Sequence, residues 1–150
     1  LFALFSIILF SACSQVNPPE NVKKEFTQKF ADAKSVKWSS EETNEWEAEF
    51  KINGKEMSAC FDDAGKWLET EAEVTIKELP AAVLNTLKTE FAGYQKNLIE
   101  IYESPEIKGF ELALKKGEES IEVIFDNTGK VVEKAGEKEE NEKEDEKKGK

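Results

Sequence analysis

The chain repeats itself, and the spacing of the repeat restricts its architecture more than any other property. Pro19-Glu20-Asn21-Val22-Lys23-Lys24-Glu25-Phe26, followed by Phe30-Ala31, lines up with Pro80-Ala81-Ala82-Val83-Leu84-Asn85-Thr86-Leu87, followed by Phe91-Ala92, at a shift of 61. Farther along, Phe61-Asp62-Asp63-Ala64-Gly65-Lys66 lines up with Phe125-Asp126-Asn127-Thr128-Gly129-Lys130 at a shift of 64. Two copies of one unit are the economical reading, with the extra residues absorbed between strands.

Each copy opens with a helical pattern. Val22, Phe26 and Phe30 fall four apart, as do Val83, Leu87 and Phe91, so each set forms one apolar stripe, with Pro19 and Pro80 suited to the first helical turn. Strict alternation follows, the mark of half-buried strands. In the first copy Val36 and Trp38, then Trp46, Ala48, Phe50 and Ile52, then Met57, Ala59 and Phe61, alternate with polar residues. A fourth segment sets Leu68, Thr70, Ala72, Val74 and Ile76 against Trp67, Glu69, Glu71 and Glu73. The second copy offers Ile99 and Ile101, then Phe110, Leu112 and Leu114, then Ile121, Val123 and Phe125, then a short strand near Val131. Asn53-Gly54 and Lys116-Gly117 read as hairpin turns. The expectation is an α+β fold: two tandem repeats, each a helix plus antiparallel strands, forming one sheet covered by helices on one face.

The ends of the chain read differently. Residues 1–12 are uncharged and apolar, like the h-region of an export signal, and the run is too short for a membrane span, which takes about 20 apolar residues. No Met or basic segment precedes Leu1, so the signal reads as truncated at its front. Leu9-Phe10-Ser11-Ala12-Cys13 resembles the lipobox of bacterial lipoproteins, which implies a lipid on Cys13; an ordinary secretory signal with a nearby cysteine is the alternative. No acidic cluster of a surface-export type follows, so the expected place is the cell envelope, anchored in the outer membrane and facing the periplasm. Residues 13–18 are then a lipidated linker. Residues 137–150, with seven acidic, five basic and no apolar side chains, are expected to be a disordered charged tail.

The 21 basic and 32 acidic residues give a net charge of −11, of which about −9 falls on the folded part. Such a chain repels nucleic acid and anionic lipid surfaces, leaving the lipid on Cys13 as its membrane contact. There is no histidine. That removes the Ser/His/Asp and Cys/His nucleophilic systems and the histidine-ligated metals. Cys60 is the one cysteine beside Cys13, and with no histidine to activate it a structural role is expected. Neither an enzyme nor a cofactor is expected.

Val36-Lys37-Trp38, Phe61-Asp62-Asp63-Ala64-Gly65-Lys66-Trp67-Leu68-Glu69-Thr70-Glu71 and Leu79-Pro80-Ala81-Ala82-Val83 resemble the β-lactamase-inhibitor-like, PepSY-like family of bacterial envelope proteins. The likeness runs from about residue 19 to 134, giving a PepSY-like domain at 19–136 with copies at 19–78 and 79–136. It implies tandem helix-plus-sheet units in which a concave sheet face grips a partner protein; related PepSY domains are associated with the restraint of peptidases. The second copy has Val131 where Trp67 stands in the first and no Thr-Glu after it, so a site shared by both copies is not expected.

Asp62-Asp63-Ala64-Gly65 and Asp126-Asn127-Thr128-Gly129 could suggest calcium, but Asp first and Gly fourth suit a tight turn, and the spaced ligands of a calcium loop are missing, so no metal is expected. The better candidate is the sheet face turned from the helices. Alternation would put Glu45, Glu47, Glu49, Glu69, Glu71 and Glu73 there with Trp67, Cys60 and Tyr102. The expected partner-binding residues are Glu47, Glu49, Trp67, Glu69, Glu71 and Tyr102, and the expected partner is a basic protein or peptide. A face that is merely solvated is the competing reading. The function expected is a non-enzymatic, envelope-anchored binding module that inhibits or regulates a partner protein or peptidase; the alternative is a structural or chaperone-like periplasmic protein without a discrete site.

Overall fold

The computed structural model describes residues 16–40 and 44–138. Helix α1, Glu20–Lys29, is followed by strands β1 (Lys34–Ser39), β2 (Glu45–Ile52), β3 (Lys55–Asp62) and β4 (Trp67–Glu73). A single 3-10 turn, Ile76–Glu78, leads into α2 (Ala81–Thr89), and then come β5 (Gln95–Glu103), β6 (Lys108–Lys116), β7 (Glu119–Asp126) and β8 (Val131–Lys138). All eight strands form one antiparallel sheet in chain order. Cys13 and the rest of the leader, and residues 139–150 of the expected tail, lie outside the described residues.

The expected α+β class of two tandem repeats is corrected by this architecture. The helices have only ten and nine residues, so the fold is mostly β, and its organising unit is a single sheet. β4 joins β5 by a regular antiparallel ladder, leaving no break between one half of the chain and the other. The physical cause lies in length. Three apolar residues at four-residue spacing support about three helical turns, roughly 15 Å, whereas eight strands at about 4.8 Å spread over more than twice that distance.

Each helix therefore covers a separate patch of the sheet. Val22 and Phe26 of α1 are buried with Ala48, Phe50, Ala59 and Phe61. The Phe26 ring meets Phe50 edge-on at 5.1 Å and Trp38 at 5.2 Å. Val83 and Leu87 of α2 are buried with Leu112, Leu114, Val123 and Phe125, among others. Each buried side chain of this size contributes about 1.5–3 kcal/mol of transfer free energy, which makes these two clusters the main stabilisers of the sheet. Between them Ile101, paired with Ala72 and Phe110, is still 41% exposed, because neither helix reaches it.

The helix starts come from proline, which stands at the position before the first helical residue: the Pro19 carbonyl accepts the Lys23 N–H and the Pro80 carbonyl the Leu84 N–H. The β3–β4 and β7–β8 turns then lock against these starts. Gly65 (φ 83°) and Gly129 (φ 81°) adopt the left-handed conformation that glycine favours. A Cβ on Gly65 would lie 3.1 Å from the Asn21 carbonyl oxygen, and one on Gly129 would lie 2.6 Å from that of Ala82. Asn21 Nδ2 donates to the Asp63 carbonyl, and Thr86 Oγ1 to the Gly129 carbonyl. The Asp62 and Asp126 carboxylates are engaged within their own turns, accepting the N–H of Lys66 and of Lys130 respectively. Turn formation is what these aspartates do here.

Three details differ from the alternation read along the chain. A register shift between Cys60 and Phe61 sets Trp67 opposite Phe61, so its indole packs on the first core cluster and not beside Glu69 and Glu71. Strand β8, expected to be short, has eight residues and continues through Glu137 and Lys138, into the segment expected to be tail. The β6–β7 reversal falls at Gly117-Glu118, just after Lys116, while Asn53-Gly54 makes the β2–β3 turn with both φ angles positive.

Candidate functional site

The sheet face opposite the helices carries a band of glutamates built by register. Glu47 of β2 lies opposite Cys60 of β3, and Cys60 opposite Glu69 of β4. Glu49 follows the same route through Ser58 to Glu71, which continues to Tyr102 of β5. Glu73 leads to Glu100 of β5 and thence to Glu111 of β6. Glu122 of β7 stands two residues from Ile124, the partner of Glu111 and of Glu133 on β8. Glu47 and Glu69 thus share one surface, and the buried residues of α1 and α2 pack on the other.

Of the residues expected at the site, Glu49 is exposed, whereas Glu47, Glu69 and Glu71 are half-buried. Glu47 accepts a hydrogen bond from the Ser39 hydroxyl at 3.3 Å and Glu71 one from Ser58 at 3.4 Å. Tyr102 is 8% exposed, and its hydroxyl donates to Glu69 at 3.1 Å. Trp67 is the exception: it faces the helices, its indole N–H donating to the Glu69 carbonyl and to Thr70 Oγ1, with the Lys29 ammonium 3.5 Å from its ring centroid. That stacking is a cation–π contact made by α1, so the Trp67 ring is committed to the fold. Cys13 lies outside the described residues.

Three glutamates absent from the expected set complete the band: Glu100, Glu111 and Glu122. Their signal was present, since each alternates with buried or apolar neighbours, as Glu111 does with Phe110 and Leu112. What the alternation along one strand did not reveal was their convergence with β4, which only the strand order provides.

Burial and crowding raise the proton affinity of Glu69, Glu71, Glu100, Glu111 and Glu122. Burial, then the charge of Glu73, pushes Glu100 up to about 7. Burial also raises Glu69, against the lowering effect of hydrogen bonds from Tyr102 and Cys60, and it raises Glu122, with Glu69 adding to the effect. Glu71 and Glu111 are raised further still, burial acting first and neighbouring glutamates second. Burial, then Glu69 and Glu47, drives the Cys60 thiol far above its ordinary range and out of reach of deprotonation at neutral pH. The chemistry open to this face is proton holding and the attraction of cations. Among the described residues no cluster of His, Cys, Asp or Glu is arranged to hold a metal ion.

Fold and face together define a mostly-β protein with one broad, proton-holding acidic sheet surface. The chain belongs to the family described as "Putative beta-lactamase-inhibitor-like, PepSY-like", whose model matches residues 44–133. Among solved structures it is similar to a BLIP-like protein from Bacteroides fragilis, with a TM-score of 0.71 and 20% identity over 86% of this chain and 93% of that one. It is likewise similar to a protein from Bacteroides eggerthii described as "putative periplasmic", with a TM-score of 0.70 and 20% identity over 82% of this chain and 91% of that one. At this identity the likeness concerns the fold. No match is found among curated proteins. No helix of the described residues is long and apolar enough to cross a membrane.

Proposed function

We propose that the chain is a non-enzymatic binding module whose open sheet face takes a basic segment of a partner protein and so restrains or regulates it. The observation that carries this reading is the convergence of glutamates from β2, β4, β5, β6 and β7 on one surface that neither helix packs against. A field of one sign over a broad face speeds the encounter with an oppositely charged partner, and half-buried carboxylates gain more from each cation than solvated ones do. The membership of an inhibitor-like family supports the same class of activity. Glu47, Glu49, Glu69, Glu71 and Tyr102 belong to the proposed contact surface, and Glu100, Glu111 and Glu122 extend it. Raised carboxyls could act as general acids, yet they stand among one another on an open sheet face, and the thiol beside them, Cys60, is held un-ionised by burial. We further propose that a lipid on Cys13 holds this domain in the cell envelope, at the outer membrane and facing the periplasm.

The test uses photo-crosslinking in intact bacterial cells. A photoreactive residue in place of Glu49 on the open face should trap a discrete partner, and one in place of the exposed Glu25 of α1 should not. Reversing Glu47, Glu49 and Glu69 to Lys should abolish the adduct while the circular dichroism spectrum is unchanged. An adduct that survives the reversal defeats the reading, and a role confined to spacing other factors would then explain the fold.

A further inference from the structure

Carboxylates accept hydrogen bonds and cannot donate, so two glutamate side chains in hydrogen-bonding contact hold a proton between them or repel. Glu71 of β4 and Glu111 of β6 are in such contact. They meet across β5, where Tyr102 is the register partner of Glu71 and Glu100 that of Glu111. Gly109, opposite Tyr102 on β6, adds no side chain to the space between them.

Among the described residues nothing near the pair neutralises it. Along β4 it is flanked by Glu69 and Glu73; β5 contributes Glu100 and the Tyr102 hydroxyl. From β3 come Ser58, which donates to Glu71, and the un-ionised Cys60. β2, β7 and β8 present Glu47, Glu122 and Glu133. The largest charges acting on the two carboxyls are those of other glutamates. The lysines on this face are remote or engaged: Lys37 stands three strands away on β1, Lys115 four residues along β6, and Lys51 pairs with Glu56 at 2.6 Å.

We propose that Glu71 and Glu111 form a proton-operated latch at the centre of the sheet: with one shared proton they tie β4 to β6 across β5, and its loss sets two like charges against each other. The inference concerns the free protein and does not depend on what the face binds. Burial and the surrounding glutamates hold both carboxyls above the ordinary range, as a shared proton requires. The folded chain then keeps this proton to a higher pH than the unfolded chain does. Stability falls as pH rises wherever the folded state binds more protons, so the latch is closed in mild acid and opens toward alkaline pH.

The experiment is a carbon-13 NMR titration of the glutamate side chains in the full-length chain, joined to thermal melts across pH 5 to 9. Glu71 and Glu111 should titrate together, with a midpoint about one unit or more above that of the exposed glutamates. The variant E111Q keeps a donor facing Glu71 and removes the ionisable partner. It should leave Glu71 raised by burial and by Glu100 and Glu69 but titrating in a single step of its own, and it should flatten the fall in Tm with pH by removing one of the two raised carboxyls. If Glu71 and Glu111 titrate with the exposed glutamates, or if E111Q leaves the slope of Tm against pH unchanged, the latch does not exist. Should E111Q fail to fold, the titration of the unsubstituted chain decides alone.

Discussion

At the scale of single residues, the glycines of the two Asp-led turns show how much a backbone position can dictate. Gly129→Ala should destabilise beyond the left-handed penalty of about 1–2 kcal/mol, because the new Cβ would strike the Ala82 backbone and displace the start of α2. Gly54→Ala, at a similar φ in open space, should cost only that penalty, and urea midpoints of the two variants measure the difference. Cys60 gives a second prediction. Its thiol is half-buried among glutamates, so in a Cys13→Ser chain it should react with a disulfide reagent far more slowly than an unfolded cysteine and reach the unfolded rate in denaturant. Both turns were legible in the sequence, because Asp at the first position and Gly at the fourth is local chemistry. The orientation of Trp67 was not. It depends on a bulge in the β3–β4 ladder, and a shift of one residue in a pattern of period two moves a side chain to the opposite face.

Among the elements, helices and strands could be read from their apolar periods, and seven of the eight strands begin and end near the residues that alternate. The balance between them could not. Apolar stripes marked where α1 and α2 lie but not how little of the sheet two helices of ten and nine residues would cover. The length of β8, expected as a short strand near Val131, escaped because Lys134 and Gly136 interrupt its apolar pattern, whereas its ladder to β7 is made by the backbone. The separation of the two core clusters has a consequence for local stability. Phe26→Ala should cost about 3–5 kcal/mol by emptying the centre of the first cluster, where its ring meets four other aromatic side chains. Hydrogen exchange in that variant should accelerate most in α1 and β1–β3, with the amides around Leu112 and Val123 affected less, since those belong to the second cluster.

For the molecule as a whole, acidity is the property that composition announced and the sheet then concentrated. Individual glutamates of the first half could be assigned to the open face by alternation; the convergence of Glu100, Glu111 and Glu122 on them follows from β4 pairing β5, a contact between distant parts of the chain that no local pattern encodes. Binding of a lysine-rich peptide to the full chain, followed by calorimetry, should strengthen as pH rises from 5 to 8, because the face sheds protons over that range, Glu100 near 7 among them. It should weaken steeply with added salt. A strand order that never doubles back has one more result. The first and last strands occupy opposite margins, roughly 34 Å apart if seven intervals of about 4.8 Å are laid side by side, so β1 and β8 are kept a full sheet's breadth from each other. The domain is in that sense a ruler, and fluorophores placed at Lys34 and Lys134 would read its length.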